Sequence, residues 1–263
     1  MSAQGTTLRW AIQSVSLIAC LLLWHVASTG HVNLGVVTFQ NVPTPLEVLD
    51  AGWDLLHSPK LSRHLGSSLM RIALGFVAAA VLGIALGLAI GRSRWARLAL
   101  LPPLEVARPI PAVAWIPLSI LMFPSSEGSM VFITFVGALF PILLNTIHGV
   151  HGVDQRLIAS ARSLGTRRWA LLAQVILPSS APSIVTGLSI GMGTCWFCLV
   201  TAEMISGQYG IGYYTWESYT VQNYANIIVG MLLIGALGMG SSALIQWAGR
   251  RLMPWYLPTG ARA

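Results

Sequence analysis

Runs of about 20 apolar residues recur along this chain, and nothing else in the sequence limits its fold as strongly. A helix of that length crosses a hydrocarbon core of roughly 30 Å while closing its own backbone hydrogen bonds. The runs at 9–28, 66–91, 99–123, 129–149, 179–205 and 225–248 predict an all-α integral membrane protein with six transmembrane helices. They do not alternate with a period of two, which excludes a β-barrel. Composition agrees: 55% of the 263 residues are hydrophobic and 9% are charged, against about 25% charged in an average soluble domain. The first run lacks a small-residue cleavage site and is followed by further spans, so it reads as a retained helix rather than a signal peptide. The whole of 1–263 reads as one transmembrane domain.

The formal net charge is +7, but the arginines do not form one patch with interleaved aromatics, so nucleic acid is not the expected partner. They mark loops. With the N-terminus inside, Arg9, then Arg92, Arg94 and Arg97, then Arg156, Arg162, Arg167 and Arg168, then Arg250, Arg251 and Arg262 all fall on one side. The other side holds Lys60 and Arg63, with Arg71 just inside the second span. That asymmetry predicts cytoplasmic termini. Lys60 is the sole lysine, so the chain carries no glycine-framed P-loop lysine and cannot bind ATP by that device. Cys195 and Cys198 form a CxxC inside an apolar run and read as packing residues, as does Cys20; no metal is expected.

Several local patterns stand out. Between the first two spans, Thr44-Pro45 looks like a helix start, and Leu46, Leu49, Trp53 and Leu56 repeat at helical spacing, predicting an amphipathic helix capping the outer surface. Gly75, Ala79, Gly83, Gly87 and Gly91 in span two, and Ser183, Gly187 and Gly191 in span five, form strips of small residues. Such strips let another helix approach closely, either within the chain or from a second subunit. Span three contains Pro102, Pro103, Pro109, Pro111 and Pro117, and places Glu105 and Arg108 three apart. Either those two charges pair at the interface, or the broken backbone lines a pathway with Trp115 and Ser119 beside it. Glu203, near the outer end of span five, is either a carboxylate in water or a gate or helix-orienting residue beside the glycines 207, 210 and 212. The tyrosines that follow and Trp216 suit an aromatic belt.

The longest polar loop, ASARSLGTRRWALLAQVILP, carries an amphipathic pattern. Asp154 can cap a helix whose apolar positions are Leu157, Ile158, Ala161 and Leu164; Gly165 stops it, and a second helix runs to Leu177-Pro178. A basic helix lying on anionic lipid is one reading. The spacing gives another: Ala159-Ser160-Ala161, Gly165 and Val175-Ile176-Leu177-Pro178 resemble the cytoplasmic signature of ABC importer permeases. In that signature Glu-Ala-Ala is followed after three residues by Gly, and after nine more by Ile-x-Leu-Pro. Ala159 stands for Glu and Ser160 for Ala, so any contact of that glutamate is not carried over. PTPLEVL, RIALGF, GLAIGRSRW, RPIPAVAWIPLSIL and TAEMISGQYGIGYY resemble, in the same order, the nitrate, sulfonate and taurine branch of these permeases.

The resemblance implies the type I importer fold in a bacterial inner membrane, with a second permease subunit forming a homodimer, two ATPase subunits and an extracytoplasmic binding protein. It implies that residues 154–178, with Arg167 and Arg168, couple to the ATPase, which uses ATP and Mg2+, while this chain binds no cofactor. Two other classes compete. An ion-gradient-driven transporter or channel would place paired charges in mid-span and an internal repeat, whereas Glu105, Arg108 and Glu203 stand without a repeat. A membrane enzyme would cluster His and carboxylates at one depth, but His148 and His151 have only Asp154 nearby in sequence.

Overall fold

The computed structural model describes residues 3–33, 35–36 and 38–255, with side chains from residue 11 onward. The Arg9 side chain and Arg262, both used in the charge asymmetry, lie outside the described residues. In order, the helices are α1 (Ala3–Thr29), α2 (Pro45–His57), α3 (Pro59–Arg92), α4 (Arg94–Ala107), α5 (Ile116–Met122), α6 (Ser126–His151), α7 (Gln155–Ser163), α8 (Arg168–Leu171), α9 (Leu177–Ser206), α10 (Ile211–Thr220) and α11 (Tyr224–Leu252). Among the described residues, five helical stretches are long and apolar enough to cross a membrane, and six if α4 and the broken segment after it count as one span. The chain divides into two units, residues up to 63 with 214–233, and residues 64–213 with 234 onward.

In the first unit, α2 starts where Thr44 and Glu47 form a capping box. The Glu47 amide donates to the Thr44 hydroxyl at 3.3 Å, and the Thr44 amide donates to the Glu47 carboxylate at 2.8 Å. Val48 and Leu55 pack against Val229, with Trp24 alongside, and the Trp24 indole donates to the Pro43 carbonyl at 3.0 Å. Leu46, Leu49, Trp53 and Leu56, the stripe that announced this helix, are all exposed. The helix is apolar on two faces, and it is the Val48/Leu55 face, two turns long, that packs within this unit.

The second unit is built around α6, which runs between α3 and α9. A Cβ added at Gly75 would stand 2.8 Å from the Thr134 Cβ, at Gly87 2.6 Å from the Thr146 Cβ, and at Gly91 2.8 Å from the Val150 Cβ. Gly83 meets Ile142 in the same way. Towards α9, a Cβ at Gly187 would come within 2.7 Å of the Asn145 Cβ, and one at Gly191 within 2.9 Å of Ile142 Cγ1. The small-residue strips are therefore filled inside the chain, so they supply no argument for a subunit contact. Thr134 and Thr146 donate back to the Met130 and Ile142 carbonyls at 2.6 and 2.7 Å, which satisfies their hydroxyls inside α6. Cys198 is buried against Gly137, and Cys195 beside it is buried too.

Span one begins at Ala3 rather than 9, and spans two and three differ further from expectation. Span two begins at Pro59 rather than 66, because proline is tolerated in a first helical turn and no later residue breaks the helix. Span three is not one helix: α4 ends at Ala107, a single 3-10 turn spans Ala112–Trp115 and leads into α5, and the segment Ala112–Met122 lies at 86° to α4. Arg108 still has helical backbone geometry, and the break follows where Pro109 and Pro111 each remove a backbone donor. Pro102 and Pro103 lie inside α4, and Pro117 sits in the first turn of α5. Before α9, residues Leu172–Ile176 form a wider π turn. There the Leu177 amide reaches back five residues to Leu172, next to Pro178, which has no N–H to offer the Gln174 carbonyl.

The close approach of α3 to α6 sets an expectation. Gly87→Ala should lower the melting temperature of the detergent-solubilised protein and its recovery as a monodisperse species, because the new Cβ overlaps Thr146. Gly66→Ala, where nothing lies within 4 Å, should leave both unchanged or slightly raised.

Candidate functional site

The second unit carries polar chemistry at two levels. At one, Arg71 of α3 is 1% exposed and holds two carboxylates. Its Nε and Nη2 donate to the two oxygens of Glu127 at 2.8 and 2.5 Å, a bidentate pair at the start of α6. Its Nη1 donates to Glu203 Oε1 at 2.8 Å and to the Tyr209 carbonyl at 2.6 Å. Glu203 is fully buried. Its Oε1 also accepts from the Ser68 hydroxyl at 2.8 Å and its Oε2 from the Gly212 amide at 2.9 Å. Ser68 in turn accepts from the Ile211 amide at 2.9 Å, and His64 Nδ1 lies 3.0 Å from the Gly210 carbonyl.

Local sequence explains why the chain turns here. The Gly207 amide closes α9 on the Glu203 carbonyl at 3.0 Å. Gly210 has φ of +136°, and a Cβ there would lie 2.2 Å from the Glu203 carboxyl carbon; glycine alone fits that conformation and that space. The segment SGQYGIG thus wraps the carboxylate of Glu203, which is neither in water nor at a free interface. It orients the end of α9 against α3 and α6. Arg71, Ser68, His64 and Glu127 were not selected from the sequence as site residues. The signal for Arg71 was present, since a lone arginine inside an apolar run requires a partner.

The other level lies about 31 Å along α3 from Arg71, 21 residues at 1.5 Å each, around Arg92. There Asp154 caps α7, its carboxylate accepting from the Arg156 amide at 2.8 Å. Gly165, at φ +78°, ends the turn. Its amide donates to the Arg162 carbonyl at 2.9 Å and that of Thr166 to Ala161 at 3.1 Å, the paired bonds of a Schellman cap. Ile158 of α7 joins Leu171 and Ile176 in one buried cluster with Val150 and Val153, so the helix, the turn and the root of α9 are packed as one body. Ala159 and Ser160 are exposed and Ala161 is half-buried. Arg167 precedes α8 with no side-chain cap bond, Arg168 opens it, and Leu177 and Pro178 begin α9. Leu164 and Trp169 project, 86% and 82% exposed.

The remaining pathway candidates are scattered. Glu105, Arg108, Pro109 and Pro111 are exposed around the break, and among the described residues Glu105 and Arg108 form no ion pair with each other. The turn between them is helical, but both side chains point away from the core. Trp115 has a buried indole N–H without a partner among the described residues. Ser119 is fully buried; it donates to the Ile116 carbonyl at 2.7 Å and lies 2.6 Å from the Ser129 hydroxyl. Its hydroxyl joins α5 to the start of α6.

Long apolar helices, one span broken by prolines, and a packed helix, glycine turn and helix near the arginine-bearing end of α3 define a membrane transport subunit. Residues 67–257 match the family of binding-protein-dependent transport system inner membrane components, and the chain belongs to that family. It is 32% identical over 260 residues to a nitrate import permease protein, NrtB, of Leptolyngbya laminosa, covering 95% of this chain and 90% of that one. It is also 32% identical over 235 residues to a putative aliphatic sulfonates transport permease protein, SsuC, of Bacillus subtilis, covering 89% and 84%. Its fold is shared with an inward-facing MetNI methionine ABC transporter structure at a TM-score of 0.52 and 19% identity, over 81% of this chain and 97% of that chain. The protein is an ABC importer permease subunit of the inner membrane, and the ion-gradient alternative falls away.

The polar level at Arg71 generates a graded expectation. Glu203→Ala leaves a buried guanidinium short of one carboxylate and frees the 207–212 turn, and should cost about 3–5 kcal/mol of stability. Glu127→Gln, at a carboxylate that remains 56% exposed, should cost clearly less. Thermal unfolding of the two variants in one detergent checks the order.

Proposed function

We propose that this permease forms, as a homodimer with two copies of a separate ATPase, the route by which a small oxyanion of the nitrate or sulfonate type enters the cell. A binding protein on the outer side delivers the anion, and the ATPase subunits bind and hydrolyse ATP with Mg2+. Support for the substrate class comes from the relatives named for nitrate and for aliphatic sulfonates. The homodimer rests on family membership, since the glycine strips are used within the chain.

The observation that carries the coupling part of this reading is the packed unit of α7, Gly165 and the root of α9. A push on α7 reaches α9 through Ile158, Leu171 and Ile176, which share one buried cluster. No flexible linker intervenes. The exposed Leu164 and Trp169 are the apolar tip that an ATPase groove would receive, and Asp154, Arg167 and Arg168 flank it. The proline-broken segment from Glu105 to Trp115 is the proposed wall of the pathway, with Arg108 as a cation that attracts the anion at its inner side.

Reconstitution of the permease with its ATPase and binding protein in liposomes tests the function directly. Uptake of nitrate or a sulfonate should require ATP inside; uptake driven by an ion gradient without ATP would overturn the reading. Gly165→Val tests the lever. No atom lies within 4 Å of a Cβ at that position, so the substitution acts only through φ, at about 1–2 kcal/mol for a left-handed residue. It should leave the protein inserted and uncouple ATP hydrolysis from uptake, while Gly165→Asn, which tolerates that conformation, should retain most transport. Equal transport by both variants would count against the lever.

A further inference from the structure

Arg92 at the end of α3 and Arg162 at the end of α7 stand on the shared rim of two adjoining cavities. The larger, about 1080 Å³, also takes in Arg168 and Trp169 and extends inward along Ala85, Leu88 and Ala89. The smaller, about 270 Å³, adds Arg97 and His151. No Asp or Glu lines either one, and none of these four arginines is in an ion pair among the described residues.

The two ends of this space differ in chemistry. Ala85 lies seven residues before Arg92, about 10 Å deeper along the helix, so the floor is apolar and reaches into the span while the rim is cationic. Trp95, three residues after Arg92, is 81% exposed, and indoles are enriched where headgroups meet hydrocarbon. A soluble acidic protein face would match the rim but leave the floor empty. A free inorganic anion would do the same. An amphiphile with an anionic head matches both.

We propose that this cleft is a binding site for an anionic phospholipid of the cytoplasmic leaflet, its phosphate held between Arg92 and Arg162 and its acyl chains running along Ala85 and Leu88. Basic pockets between membrane helices on the cytoplasmic side take such headgroups, at about 1 kcal/mol for each arginine near the surface. The bound lipid touches both the end of α3 and the helices around Gly165, so it fastens the lever to the bundle. The site does not depend on which substrate crosses.

Native mass spectrometry of the full-length chain in mild detergent, titrated with phosphatidylglycerol or phosphatidylcholine of matched chains, tests this. Phosphatidylglycerol should be retained in preference. The Arg92→Gln, Arg162→Gln double variant should lose that preference by roughly 30-fold, two arginines at about 1 kcal/mol each, while Arg250→Gln, Arg251→Gln should keep it. Equal retention of the two lipids, or an unchanged preference in the double variant, would overturn the proposal. Inorganic phosphate competing away phosphatidylglycerol at equal concentration would assign the rim to a free anion instead. Loss of ATPase or of a second permease copy from the double variant, with lipid retention unchanged, would make the cleft a protein contact and would also overturn it.

Discussion

The second unit depends on how closely α3 and α9 can approach α6. In lipid, helices gain nothing from removing apolar surface from water, so they associate through packing and through polar contacts that have no better partner. Glycines on α3 and α9 supply the first, pressing backbone against Thr134, Ile142, Thr146 and Asn145. Arg71 supplies the second. Its guanidinium joins α3 to the start of α6 through Glu127 and to the end of α9 through Glu203, and a charge so deeply buried is costly unless each partner is in place. The turn at 207–212 completes the arrangement by giving Glu203 a backbone donor.

This arrangement leaves the opposite ends of the same helices as the place where movement can enter. Near Arg71 the helices α3, α6 and α9 are bound to one another through its guanidinium, while their basic ends meet the short helices α7 and α8 and the π turn before α9. A π turn is a wider and less regular stretch of helix. It stands between the exposed tip at Trp169 and α9, so in the proposed coupling displacement of the tip would pass into a helix held near its far end by the Glu203–Arg71 pair. That is a geometry for tilting a span about the Arg71 level.

Much of this was legible in the residues. Apolar runs gave the spans, Asp154 and Gly165 marked the helix and turn between them, and the prolines located the break in span three. What was missed has physical causes. Glu105 and Arg108 are close in sequence, and proximity suggested a pair, but the partners that matter for a buried charge are brought together by tertiary packing: Arg71 meets residues 56 and 132 positions away. The contact of Ser119 with Ser129 was not legible either, since the two lie on separate helices. The apolar stripe on α2 was read correctly as helical in period, but the face that packs, through Val48 and Leu55, is the other one. The glycine strips left open a choice between a neighbouring helix and a neighbouring subunit, and only the placement of α6 resolves it.

The central claim is that the tip of the helix, glycine turn and helix meets the ATPase and carries its motion into α9. Replacing Cys20, Cys195 and Cys198 with alanine, placing a cysteine at Leu164 and another in the facing groove of the copurifying ATPase, and oxidising the reconstituted complex tests it most directly. The account predicts a high-yield disulfide between the two subunits and loss of ATP-driven uptake that returns on reduction. A complex that transports normally while Leu164→Cys forms no cross-link to the ATPase, or one that is cross-linked there and still transports at the full rate, would contradict it.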